Sequence, residues 1–551
     1  PLAPLAPLAP LAPLAKVAWV GLALVLLGLG YGLSTSAPAV AAWPRWVWLA
    51  LPWPYLVFAW RGPGRRAAAA ALTRAETASA LAILAGVLCL AFPDVIFGGR
   101  TLLTSPYTGS VMGLQPPHGY RWAPPPFSPY LLDPGASAWQ YEPLTAKASR
   151  LYRRGDLPLW NANQAFGAPL AANMHSSVFY FPALPLLVSP SPALWDVYLL
   201  ARLLLAGGFT FLLARALALS RLAALAGAAA FMLSGYLLLW VNNSWLNVDV
   251  LLPALLYGIE RIVQRPTRWA LLVLAVTTSA AMLGGMPEST FVVFVVAIGY
   301  GLVRLAAIAQ RGLSRADVLR RAGALAAASV LGVGTSGILL VPFLEYLRHA
   351  LHGHTPDARI GLLHLPAAQL VTLFVPYVDG PPLTFDRFSH YSGVAAPLLG
   401  LVAVLARRRD RRGGGLEAFF FATAALAIAK AYGAAGINWI GALPLFDLVY
   451  LWRHLGVVIC FALAMLAALG IDALAERRVG RVRGTLAVVL TGGLLLASYA
   501  LRFGLPVAER HWAGPLGVAA ALLVAVQLAL LWLPGAAHRA TGARALAVAG
   551  C

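Results

Sequence analysis

An all-α, polytopic transmembrane bundle of about fourteen spans is what this sequence predicts, on three observations. The 551 residues are 60% hydrophobic and only 11% charged, with a mean hydropathy of +0.76; a soluble chain carries roughly 25% charged residues to cover its core. Several stretches reach the roughly 17–25 apolar residues that cross a bilayer as helix. The basic residues come in short clusters between those stretches, the pattern of the positive-inside rule. The net charge of +21 therefore reports membrane topology, and no nucleic-acid partner is expected.

Residues 1–15 repeat Pro-Leu-Ala five times. Proline at every third position forbids a regular helix, so this low-complexity tract stands apart from the fold. It lacks the charged segment that opens a cleavable signal peptide. Hydropathy and length then place spans at about 17–34, 46–60, 75–97, 194–217, 222–241, 250–264, 269–287, 289–306, 322–343, 391–406, 416–432, 455–474, 485–503 and 514–534. The expected organisation is N-terminal spans in 16–97, a large loop at 98–193, a transmembrane core at 194–343, a second loop at 344–390 and C-terminal spans in 391–551. Cys89, Cys460 and Cys551 are scattered and offer neither a disulfide framework nor a metal spacing.

The basic clusters orient the bundle. With Arg61, Arg65, Arg66 and Arg74 inside, strict alternation also puts Arg261, Arg265 and Arg268, the arginines of 304–321, those of 407–412 and those of 477–483 inside. The longest loops all fall outside: 98–193, 344–390 and 433–454, together with the short turns 242–249 and 284–288. A loop as long as 98–193 without its own span is functional or disordered, and its Trp and Tyr content argues against disorder. Short amphipathic helices are expected in it, for instance over residues 142–154, and an interfacial or re-entrant piece over 178–188, interrupted by Pro182 and Pro185.

The densest polar information runs from Asp133-Pro134 through "GDLPLWN" (155–161) and "GAPLAAN" (167–173) to "YFP" (180–182). "GGMPEST" around Glu288, "VPFLEYL" around Glu345 and "LWRHLGVVICFALAMLAALGIDAL" around Arg453 follow in order. This ordered set, over roughly residues 90–475, resembles the YfhO family of bacterial membrane proteins, of the GT-C class of glycosyltransferases. The resemblance implies a GT-C-like bundle with extracytoplasmic loop helices in the bacterial cytoplasmic (inner) membrane. It implies transfer of a sugar from a polyprenyl-phosphate donor to an envelope acceptor, whether glycan, lipid or polymer such as lipoteichoic acid. Membrane lipids are the expected surroundings. The chain departs from the family pattern in two ways, with two additional spans before the main loop and no large outer C-terminal domain before Cys551.

Elementary chemistry is compatible with that activity. Inverting transfer needs a carboxylate to take the acceptor's proton and cations to stabilise the departing phosphate. No Asp-x-Asp of the nucleotide-sugar kind occurs in the chain. Asp133, matching the family's acidic position, is the expected base, the alternative being a turn residue before Pro134; Glu142 is the second catalytic candidate, and Asp156 reads as a turn or cap. Arg453 is the first candidate for the phosphate, since arginine binds phosphate with two parallel bonds. Arg150, Arg153 and Arg154, with Lys147 nearby, either assist it, form a solvated helix face, or hold lipid headgroups. Trp160, Asn161, Gln164, Asn173 and His175 have the right chemistry for sugar hydroxyls, or else satisfy loop backbone.

Glu288 either binds substrate or serves as a helix N-terminal carboxylate; Asn242, Asn243 and Asp249 could join the same cavity. Arg202 and Lys430 lie in apolar spans, where snorkelling to the interface is the cheaper reading. No metal ligand set is assigned. A divalent cation such as Mg or Mn is compatible with the chemistry, and His349, His352, His354 and Asp357 form only a weak metal pattern. The G-x-G-x-x-G at 332–337 sits in an apolar span without a strand, so it reads as helix packing. The rival functions are a transporter or flippase of lipid-linked saccharides, against which stands the absence of an internal repeat, and a non-catalytic envelope-assembly protein.

Overall fold

Helix makes up nearly all the regular structure. The structure, a computed structural model, describes residues 73–104, 137–164, 166–350, 354–355, 358–374, 390–392, 395–406, 415–476 and 478–501. The Pro-Leu-Ala tract, the expected spans 17–34, 46–60 and 514–534, and Asp133, His352 and Asp357 lie outside the described residues.

Apart from the single turn Pro93–Ile96, the helices in chain order are α1 (Arg74–Ala91), α2 (Glu142–Arg153), α3 (Leu184–Val188), α4 (Pro192–Ala216), α5 (Arg221–Met232), α6 (Gly235–Leu239), α7 (Leu246–Asp249) and α8 (Leu252–Gln264). Then come α9 (Arg268–Leu283), α10 (Pro287–Gln310), α11 (Arg315–Thr335), α12 (Gly337–His349), α13 (Ala395–Leu405), α14 (Leu416–Ala431), α15 (Leu451–Ala475) and α16 (Arg481–Leu501). A two-stranded antiparallel hairpin, β1 (Trp160–Asn161) and β2 (Ala168–Pro169), follows α2, with Trp160 opposite Pro169.

Among the described residues, length and composition allow five helices to cross a membrane: α1, α4, α5 continued through α6, α10 and α15. A sixth is the pair α11 and α12, bent by 68°, where the sequence predicts one span over 322–343. The cause is local. Thr335 and Ser336 both turn their hydroxyls back onto Gly332 O, at 2.9 Å each, which competes with the helical ladder beside Gly334 and Gly337. Gly332 itself lies against Ala275 and Thr278 of α9, where a Cβ would collide, so this glycine serves helix packing; a Cβ on Gly334 or Gly337 would meet nothing. Of the other expected spans, 250–264, 269–287, 391–406 and 416–432 correspond to helices of 13, 16, 11 and 16 residues, below the usual crossing length.

Helix α15 is the centre. In its most apolar stretch 94% of the residues are buried, and α5, α13 and α14 pack around it. Small residues let the backbones close up: a Cβ on Gly470 would strike the carbonyl of Leu399 in α13. Such approach gains dispersion where lipid offers no hydrophobic contrast. At one end, Glu76 of α1 pairs with Arg215 at 2.8 Å and Arg221 at 3.1 Å, fixing α1 to the α4–α5 corner. The Thr73 hydroxyl accepts the Glu76 N–H and caps α1. Also buried, Glu260 of α8 receives two bonds from Arg304 and one from Tyr300, both on α10.

The opposite end gathers the connecting segments. Ser137 donates to Asn242 O, Tyr180 to Asn247 O and Ser177 to Gly284 O. Gly285 has φ +92°, and a side chain there would collide with Ser177, so this turn can hold the loop close only with glycine. Ser137, Ser177 and Tyr180 thus tie this loop to the turns at 242–247 and 284–285.

Candidate functional site

At this end four elements bring polar side chains together. Helix α10 begins at Pro287, a residue suited to the first helical position, and so places Glu288 in its first turn, where the helix dipole favours a carboxylate.

The Glu288 carboxylate accepts the backbone N–H of Tyr450 at 2.6 Å. Its Oε2 lies 3.6 Å from His454 Nε2 and its Oε1 3.8 Å from His354 Nε2. His354 is oriented by a bond of its Nδ1 to Leu448 O at 2.9 Å. His454, fully buried, has Nδ1 3.0 Å from the hydroxyl of Ser289, and its ring packs on Trp245 at 5.0 Å. Arg453 lies over the rings of Trp245, Tyr450 and Trp452, at 5.5, 5.6 and 5.0 Å. Glu288 keeps 12% of its side chain exposed, so it is the carboxylate of this cluster that a substrate can reach.

Behind this layer Asp249, at the end of α7, accepts from Tyr236 at 2.8 Å. Burial pushes its carboxyl up to about 7, against hydrogen bonds from Tyr236 and Ser289 and the charge of Arg202, which pull it down. Ser289 therefore stands between Asp249 and His454. When its proton points to Asp249, His454 must carry its own proton at Nδ1 and turn a bare Nε2 towards Glu288. Burial, then the charge of His354, holds His175 below the ordinary histidine range.

A cleft of about 430 Å³, counted to its open mouth, adjoins the cluster between α3, α4 and the 242–249 turn. It is lined both by apolar side chains, Leu186, Leu187 and Leu199, and by polar ones, Arg202, Ser244 and Asn247. Arg202 donates to Val241 O at 2.6 Å, Asn247 Oδ1 at 2.7 Å and Asn243 O at 2.9 Å. It is 5% exposed, so the snorkelling expected from the sequence does not occur: the carbonyls freed by the broken 241–247 backbone hold the guanidinium inside. Lys430 is likewise buried, donating to Asn438 Oδ1 at 2.7 Å.

Of the residues singled out by sequence, His175, Glu288 and Arg453 come to this end beside the cleft, and Asn242 and Asn243 line it. Asn173 accepts the His175 N–H and so shapes the turn that carries it. Glu142 is buried at the start of α2, where it accepts the N–H and hydroxyl of Thr104, at 2.8 and 3.0 Å. Arg150, Arg153 and Arg154 are exposed at the far end of α2, while Lys147 donates to Asn163. Trp160, Asn161 and Gln164 belong to the hairpin; Asn161 is buried and donates to Gln164, and Trp160 is exposed. Sequence reasoning did not single out Ser289, Tyr198, Asn247 or Trp195. The cost of an arginine within an apolar span, with the polar 242–249 turn, pointed towards this cavity without identifying those four. Among the described residues no three His, Cys, Asp or Glu side chains form a group that could hold a metal.

Residues 140–361 match the family model described as bacterial membrane protein YfhO, which bears out the resemblance over that stretch. The match takes in α2 to α12 and ends before Arg453 and His454. No curated protein and no solved structure matches the chain.

Proposed function

We propose, from the match over residues 140–361, that this protein is a membrane glycosyltransferase of GT-C-like arrangement. It moves a monosaccharide from a polyprenyl-phosphate donor to an envelope acceptor on the outer face of the bacterial cytoplasmic membrane. The outward placement of the loop end rests on the basic clusters in the sequence. The observation that carries the reading is Glu288, a reachable carboxylate set among Arg453, His354 and His454 where the helices open beneath the loop.

In the proposed step the acceptor oxygen bonds to the anomeric carbon as the carbon–oxygen bond to phosphate breaks. The electron pair of that bond leaves with the polyprenyl phosphate, and the acceptor proton passes to a carboxylate. Asp133 remains a proposed base from its place in the sequence, and Glu288 joins it on geometry. Arg453 supplies positive charge at the reacting centre. Glu142 serves to position the loop through Thr104.

The test is purified protein in proteoliposomes with a polyprenyl-phosphate-linked sugar and an envelope acceptor fraction. Consumption of the donor with labelled product supports transfer. Movement of the intact donor across the bilayer, with no consumption by any acceptor, would sink it in favour of a flippase.

A further inference from the structure

Four buried polar atoms around the cleft have no partner among the described residues: Arg202 Nε, Trp195 Nε1, Ser244 Oγ and His175 Nδ1. Native proteins rarely leave such atoms orphaned, and a cluster of them calls for an explanation. Two are obligate donors, and serine can donate as well. Arg202 sharpens the point. It lies ten residues into α4, about 15 Å along the helix, and donates to the neutral oxygens of Val241, Asn243 and Asn247. Asp249, whose carboxyl feels its charge, makes no ion pair with it among the described residues and is itself held towards the neutral form by burial; a buried cation without a paired anion is costly.

The cleft thus combines a positive charge and several donors with the apolar side chains of Leu186, Leu187 and Leu199. We infer that it is the binding site for a phosphate headgroup carried on an apolar chain, with the phosphate at Arg202, Trp195 and Ser244 and the chain along the leucines. The inference rests on the proposed function only for which lipid is bound. Ser244 borders the cleft, and its neighbour Trp245 stacks on both His454 and Arg453, so a headgroup here adjoins the Glu288 cluster. Arg202 then anchors the phosphate, and Arg453 acts at the reacting end.

Calorimetric titration of the full-length protein in detergent tests this, with farnesyl phosphate, farnesol, inorganic phosphate and phosphatidylglycerol as probes. Farnesyl phosphate is expected to bind at least about tenfold more tightly than farnesol or inorganic phosphate, because only it uses both the donors and the leucines. Competition by phosphatidylglycerol distinguishes a bulk phospholipid from an isoprenoid carrier, and either source supports a lipid-phosphate site. Arg202→Gln should abolish binding, but it also unties residues 241–247. Trp195→Phe removes a single N–H and should weaken farnesyl phosphate on the order of tenfold, and Leu187→Trp should block the cleft. Unchanged affinity in both of these folded variants, or farnesol binding as tightly as its phosphate, overturns the site. Farnesyl phosphate binding without any sugar transfer would leave the site standing and remove the transferase reading. Intact transfer with unchanged affinity in both variants would do the reverse.

Discussion

The hydroxyl of Ser289 lies 3.0 Å from Nδ1 of His454, a residue 165 positions away in sequence. This contact joins the first turn of α10 to the first turn of α15 and sets which face of the imidazole meets Glu288. Ser289→Ala leaves His454 Nδ1 buried without that partner, a loss of about 1–3 kcal/mol. Thermal unfolding in detergent should report the loss, and a melting midpoint equal to that of the parent protein would show the contact to be dispensable.

Glu288→Gln preserves shape and the acceptor for the Tyr450 N–H while removing the base. Transfer should fall by about 10²–10⁴-fold with little change in melting. Turnover at the parental rate would exclude Glu288 from proton transfer.

Asp133→Asn probes the base proposed from sequence. The variant is expected to fold and bind the donor but lose transfer. Retained turnover would remove Asp133 from the mechanism and leave Glu288 as the carboxylate in question.

Asp249 makes stability depend on pH. Its folded-state pKa is raised from 3.8 to about 7, so its contribution is fully present below pH 3.8 and is lost as pH rises through about 7. Between those values the folded state holds the proton more tightly than the unfolded chain. Raising pH from 5 to 8 should therefore destabilise the protein, with a ceiling of about 3 kcal/mol for this group over that interval. Asp249→Asn should flatten that slope; an identical slope in the variant would assign the pH dependence to other groups.

Trp160→Cys, in a background without the native cysteines, should react with an impermeant maleimide added outside whole cells, since Trp160 is 55% exposed. Labelling from the cytoplasmic side alone would invert the proposed topology.

Much of the helical layout was legible in the chain, because burial in lipid imposes a length and an apolarity that any segment displays on its own. The limits of α4, α10 and α15 lie close to those read from hydropathy. Amphipathic α2 and the role of Gly332 in packing were legible for the same local reason. The bend at Ser336 and the break at 233–234 were not, because hydropathy averages over the few hydroxyls and glycines that interrupt a helix.

At the site, residue types were readable from the chain alone: Glu288 and Arg453 stand out as charges at the ends of apolar spans, and His175 is among the polar residues of the long loop. Which of them meet was settled by folding. It brought together α10 and α15, far apart in sequence, and separated the hairpin residues Trp160 and Gln164 from them. It also changed the meaning of Arg202. In sequence that arginine is a costly charge whose cheapest resolution is escape to the interface. In the fold, carbonyls from residues 241 and 243 and the Asn247 amide oxygen hold it inside. The cost of burying a charge depends on which groups surround it, and those come from elements that only folding brings together.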